Sequence, residues 1–322
     1  MIKFVAFILT GCTVYTLAWQ ESLTRRRRNE VTRLYYTSSS PLFERMDRKK
    51  LIQSSILPLV SLLPIKTANS KESISSLLET KNIQKPPPSR ASEFNGVDNM
   101  YFPTWMEGEW QLTQTLVNTE TPLGLKFIGG PSGSEQIGRE SQKEQEKQKN
   151  LPVELRVRFL KTKFGVAEDR LYNLRNRLDA FAGRPVVSSV IYADVGESNR
   201  QSVLAMGGSE SDPLQTTLVY FKGPAAQKTF MVAHESEFLS PDQWAGLELD
   251  RAIFALTNQS TAPPVTTDTA LIWLLTNKSD GRVEGRLRLA EFLNPQDALY
   301  FEARNRAVSI ADYSLTFRKV QE

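Results

Sequence analysis

The stretch LPVELRVRFLKTKF (151–164) alternates with a period of two. Val153, Leu155, Val157 and Phe159 fall on one face, and Glu154, Arg156 and Arg158 on the other, which is the pattern of a half-buried strand. Trp110, Leu112, Thr113, Thr115 and Val117 mix aromatic and β-branched types at strand-like spacing. QTTLVYFKGPAAQKTFMVAHES (215–236) predicts two strands joined at Lys222-Gly223-Pro224, and TALIWLLTNKSDGRVEGRLRLAEFL (269–293) predicts a hairpin turning at Asp280-Gly281. DYSLTFRKV (312–320) predicts a last strand, and weaker candidates lie at 185–195, 200–206 and 249–257. One segment changes period. In EDRLYNLRNRLDAFAG (168–183), Leu171, Leu174, Leu178 and Phe181 recur at spacings of three and four, and Gly183 and Pro185 follow; this predicts a single short helix over one end or face. The polar tract at 131–150 reads as a disordered loop insertion.

These elements predict an all-β domain over 101–322, an antiparallel barrel of about eight to ten strands. What precedes it reads differently. Residues 1–19 hold one Lys and an apolar run ending at Leu17-Ala18-Trp19. The run is shorter than a membrane span, which points to a secretory signal peptide, with an uncleaved anchor as the alternative. Residues 20–70 begin rich in Arg, Ser and Thr and continue with Arg48-Lys49-Lys50, an apolar stretch, and small residues at Ala68-Asn69-Ser70. That order reads as a plastid transit peptide followed by a thylakoid-transfer segment cut after Ser70. Residues 71–100, with Pro86-Pro87-Pro88, read as a disordered spacer. Arg25–Arg28 alone would suggest a nucleic-acid patch. Charge argues against it: residues 1–95 carry 15 Lys and Arg against 7 Asp and Glu, so the chain's basicity sits in the leader and nucleic acid is not an expected partner.

Composition removes several chemistries. The single Cys is Cys12, in the first leader, and the single His is His234. The processed chain therefore has no thiol catalysis, no cysteine-ligated metal and no multi-histidine site. His234 lacks a Gly-x-Ser-x-Gly elbow, and Glu235 points away from it on a strand, so neither a triad nor a His234–Glu235–Glu237 metal cluster is favoured. Glu168 and Asp169 suit a helix N-terminus better than acid–base work. No enzyme activity and no cofactor are expected. The polar feature left is an arginine series. Arg282, Arg286 and Arg288 share one strand face, with Arg304 and Arg306 near the last loop. If that face is outward the arginines are solvated; if it lines a cavity they would bind an anionic head group.

Gly108-Glu109-Trp110 opens the first strand. A Gly-x-Trp there resembles the lipocalin and wider calycin pattern, in which an indole plugs one barrel end beneath a cation; here Arg318 is the expected cation. YFPTWMEGEW, EDRLYN…AFAG, GRVEGRLRLAEFLNPQDALYFEARNRAV and DYSLTFRK further resemble successive blocks of a domain-of-unknown-function family found in cyanobacteria and plastids. The resemblance implies a lipocalin-like fold and a thylakoid-lumen location. The expected function is binding or carrying a small apolar or amphipathic molecule, pigment-like or an anionic lipid. The alternative is a non-enzymatic accessory protein of a photosystem or another thylakoid membrane complex.

Overall fold

The computed structural model of the chain describes residues 73–87, 99–192, 216–258 and 264–320. Both leaders, and the strand expected at 200–206, lie outside the described residues. Ten strands make one antiparallel sheet: β1 (Gly108–Glu120), β2 (Pro152–Lys161), β3 (Val166–Glu168), β4 (Val187–Tyr192), β5 (Thr217–Phe221), β6 (Ala225–Ser240), β7 (Gln243–Leu256), β8 (Val265–Asn277), β9 (Val283–Phe292) and β10 (Ser309–Lys319). Their order is β3-β2-β1-β10-β9-β8-β7-β6-β5-β4. This is an up-and-down ring with one seam. Every chain neighbour pairs with the next except β3 and β4, which form the two edges. The sheet is thus a curled half-barrel, and among the described residues the two edges do not pair to close the expected ring.

Helix α2 (Arg170–Phe181) connects the two edges and packs on β2 and β4. The single helix expected at 168–183 is therefore present, and its place is the seam. A second helix, α1 (Glu135–Gln148), occupies the tract expected to be disordered. Ser134 caps it by accepting a hydrogen bond from the Ile137 N–H. Its buried positions are Gly138, Ser141 and Gln145. A Cβ at Gly138 would stand 2.1 Å from the Leu125 carbonyl oxygen, so the helix needs glycine to dock there. With no apolar stripe on the docking face, hydrophobic periodicity could not reveal it. A one-turn helix, α3 (Tyr300–Ala303), precedes β10.

Both sheet faces are covered. The concave face holds the main core, including Trp110, Leu112, Leu155, Val157, Trp244, Leu275 and Phe317. The convex face of β7–β10 presents Leu249, Ile272, Ala290 and Ile310, and Ile74, Leu78 and Ile83 pack on it. Residues 73–87 are therefore a strap on the outside of the sheet. Residues 73–87 of the expected spacer are packed, because Ile74, Leu78 and Ile83, with Leu77 partly buried beside them, reach one apolar face. Arg288 donates to the Leu77 and Thr80 carbonyls and pairs with Asp312, and Arg286 pairs with Glu79. Lys85 joins Arg251 on the fully buried Asp268.

Gly108 and Trp110 open β1, and the cation at the indole differs from the expected one. Trp110 is buried, donates from Nε1 to the Met106 carbonyl at 2.8 Å and meets Phe317 edge-on. The cation at its ring is Lys319, with Nζ 5.6 Å from the centroid. Register explains the difference from Arg318: Lys319 lies opposite Trp110, whereas Arg318 lies opposite Gln111 on the other face.

Candidate functional site

Strand edges carry unpaired backbone groups, and α2 satisfies them with side chains. Asn173 is fully buried. Its Oδ1 accepts from the Arg158 N–H at 2.6 Å, and its Nδ2 donates to the Arg158 carbonyl at 3.1 Å and to Glu168 at 3.0 Å. Asn176 donates to the Arg156 carbonyl at 3.0 Å. On the other edge, Asp179 accepts from the N–H groups of Val186 and Val187, and Arg175 donates to the Ser188 carbonyl. Asp169 fixes the start of the helix, accepting from the Tyr172 N–H while bound to Arg158. Polar side chains at these positions let a helix stand in for a missing strand pair.

Behind α2, on the concave side, lies a cavity of about 130 Å³. One wall is apolar, made by Leu271 and Trp273 of β8, Leu287 and Leu289 of β9, and Leu174 and Phe181 of α2. Charged groups stand directly beside these: Glu248 lies across from Leu271 in the β7–β8 register, and Arg170 and Arg177 alternate with Leu174 and Phe181 along α2. Arg170 reaches from the first turn of α2 across to β7 and grips Glu248 through both terminal nitrogens, at 2.7 and 3.0 Å. Arg177, two turns further along the same helix face, stands 3.8 Å from Glu168. Asp250 follows Glu248 by two residues, so both acids project from the concave face of β7.

These groups fall into two electrostatic kinds. Burial opposes the charges of Arg170 and Glu248, but their mutual attraction and hydrogen bonds outweigh it; the Arg170 pKa is raised and that of Glu248 lowered. For Asp250, burial and then the neighbouring Glu248 charge push the carboxyl well above its usual range. Burial, with Glu291 nearby, pushes the Tyr313 hydroxyl up to about 12, so the phenol is neutral in this wall. Asp250 Oδ1, Thr269 Oγ1 and Trp273 Nε1 have no hydrogen-bond partner within the protein.

The residues singled out in the sequence lie elsewhere. Arg286 and Arg288 face outward from β9 onto the strap, and Arg282 pairs with Asp280 in the exposed hairpin turn; none of the three lines the cavity. Arg304 takes a left-handed backbone after α3, and Arg306 bridges to Gln84 of the strap. His234 lies opposite Glu248 in the β6–β7 register, and its field helps keep Glu248 ionised. Glu237 is taken by Ser73 of the strap. Among the described residues, no group of three or more His, Cys, Asp or Glu could hold a metal ion. The residues that make the site are Arg170, Arg177, Glu168, Glu248 and Asp250, and of these only Glu168 drew notice in the sequence.

Fold and site together define a curled antiparallel half-barrel with a helix at its seam and, behind that helix, a partly open cavity whose apolar lining is interrupted by paired charges. The chain belongs to the family described as Domain of unknown function (DUF6816), which matches residues 95–321. No curated protein and no solved structure matches it.

Proposed function

We propose that the protein binds a small amphipathic molecule in the cavity behind α2, without transforming it. The observation that carries this is the cavity itself: a largely apolar lining with prearranged, buried ion pairs set into it. Its volume sets a limit. A carrier of whole pigments or lipids needs several hundred Å³; about 130 Å³ suits a ring-sized molecule or the end of a longer one. The alternative, an accessory protein of a photosynthetic complex, predicts a core filled by its own side chains. The space between α2 and β7 favours binding.

The place of action we propose is the thylakoid lumen, reached by the two leaders. In support, the strap contacts of the described residues all lie downstream of Ser70, so the expected cut leaves them in place. Native mass spectrometry of the processed chain purified from its own source tests the binding reading. A small-molecule adduct is expected on the wild type and should be lost in Ala252→Leu, which fills the cavity. A bare chain mass in both would refute it.

A further inference from the structure

Five residues of the cavity lining carry a buried polar atom with no hydrogen-bond partner among the described residues: Arg170 Nε, Arg177 Nε, Trp273 Nε1, Thr269 Oγ1 and Asp250 Oδ1. The two guanidinium N–H groups and the indole N–H can only donate, and the Thr269 hydroxyl serves either way. Neither protonation state of Asp250 reverses this balance. A neutral carboxyl adds a donor, and an ionised one adds a single acceptor at Oδ1. What the lining lacks is acceptors.

The two arginines are unequally engaged. Arg170 places both terminal nitrogens on Glu248, at 2.7 and 3.0 Å, and leaves only Nε. Arg177 makes no hydrogen bond to any described residue. The acid within its ion-pair range, Glu168, stands at 3.8 Å, and Glu168 Oε1 already accepts from Asn173 at 3.0 Å. Yet the Arg177 side chain is only 17% exposed and lines the cavity. A separation of 3.8 Å is too long for a hydrogen bond, so the pair balances charge while the planar fork of donors stays unfilled.

Resting on the binding reading above, we infer that the guest is a small monocarboxylate, its carboxylate held by the Arg177 fork and its hydrocarbon part lying against Leu174, Phe181, Leu271 and Leu289. Spacing on α2 supports this: Leu174 and Phe181 flank Arg177 at three and four residues, so one helix face offers the cation and the apolar contact together. A carboxylate brings acceptors on both oxygens and no donor, and its charge-assisted bonds to a guanidinium are the strong kind. Glu248 is engaged by Arg170 and Glu168 by Asn173, so a guest on Arg177 displaces no existing hydrogen bond. An amide of the same shape has one acceptor oxygen and adds two N–H donors to a lining already rich in them. An ammonium brings donors alone, and a positive charge beside two arginines.

The test compares three probes of one shape on the processed chain at neutral pH: cyclopentanecarboxylate, cyclopentanecarboxamide and cyclopentylmethylammonium. Titration calorimetry gives the affinities. The Trp273 indole N–H resonance, assigned by its loss in Trp273→Phe, places the probe in the cavity. The carboxylate should bind at least about tenfold tighter than the amide, the gain of one charge-assisted hydrogen bond, with the ammonium weakest. Arg177→Gln should weaken carboxylate binding at least about tenfold and leave the amide within about threefold; a disturbed site would weaken both alike. Amide or ammonium binding as tightly as the carboxylate would overturn the inference and leave the binding reading standing. So would a carboxylate preference that survives intact in Arg177→Gln. The wild-type series decides the matter if that variant folds poorly. Binding of none of the three would overturn both readings.

Discussion

Arg170 and Glu248 connect the seam helix to the far wall of the sheet: a guanidinium from the first turn of α2 forks onto a carboxylate of β7, with the cavity beside them. Both side chains are nearly buried, at 12% and 4% exposed. Breaking such a pair leaves one charge stranded, which costs more than the intact pair contributes. Arg170→Met should therefore lower stability by about 3–5 kcal/mol. Arg170→Met with Glu248→Gln should recover most of it. Urea unfolding midpoints of the single and double variants measure the difference.

Asn173 replaces a strand partner for Arg158, so Asn173→Ala strands the Arg158 N–H at the edge of β2, while the Arg158 carbonyl keeps the Asp169 N–H. The expected loss is about 3 kcal/mol. Hydrogen exchange localises it: the Arg158 amide should exchange much faster, with smaller changes in the β8–β9 ladder.

Asp250 gives stability a pH dependence of defined sign. Its folded pKa is raised, so the folded chain keeps a proton that the unfolded chain releases from about pH 4 upward. The unfolded state binds fewer protons in that window, and stability falls as pH rises through it, by at most about 1.4 kcal/mol per pH unit. Glu248, with a lowered pKa, contributes the opposite slope, lost only as pH falls below about 4. Urea midpoints between pH 4 and 8 should decline for the wild type and stay flatter for Asp250→Asn.

The three arginines of the β9 hairpin should differ sharply on substitution. Arg288 is bound to two strap carbonyls and Asp312 and is 7% exposed. Arg288→Ala should cost about 3–5 kcal/mol and expose residues 73–87 to limited proteolysis. Arg282→Ala, at an exposed turn, should stay within about 0.5 kcal/mol of the wild type.

Much of the sheet was legible because its signals are local. The alternation at 153–159, the turns at Lys222-Gly223-Pro224 and Asp280-Gly281, and the leucine spacing of α2 each stand within one element. The site was not legible, and the strap explains why. In WAGLELDRA (244–252), Leu247 and Leu249 alternate with Glu248 and Asp250. Taken alone, that pattern turns the leucines inward and the acids to solvent. The strap reverses this, covering the leucines on the convex face and leaving the acids to face the cavity. The same reversal puts Arg286 and Arg288 outside the barrel yet, for Arg288, out of solvent. A strap of four apolar residues, Ile74, Leu77, Leu78 and Ile83, is too short to signal which sheet face it covers. Nor does α1, whose docking face is glycine, serine and glutamine.

The central claim is that the space between α2 and β7–β10 holds a guest. A crystal structure of the processed chain purified from its own source tests this most directly. The account predicts continuous density for one non-water molecule, lying against Leu271 and Leu289 and ending in a polar group near Asp250. Discrete water peaks alone, or side chains collapsed into the space, would contradict it.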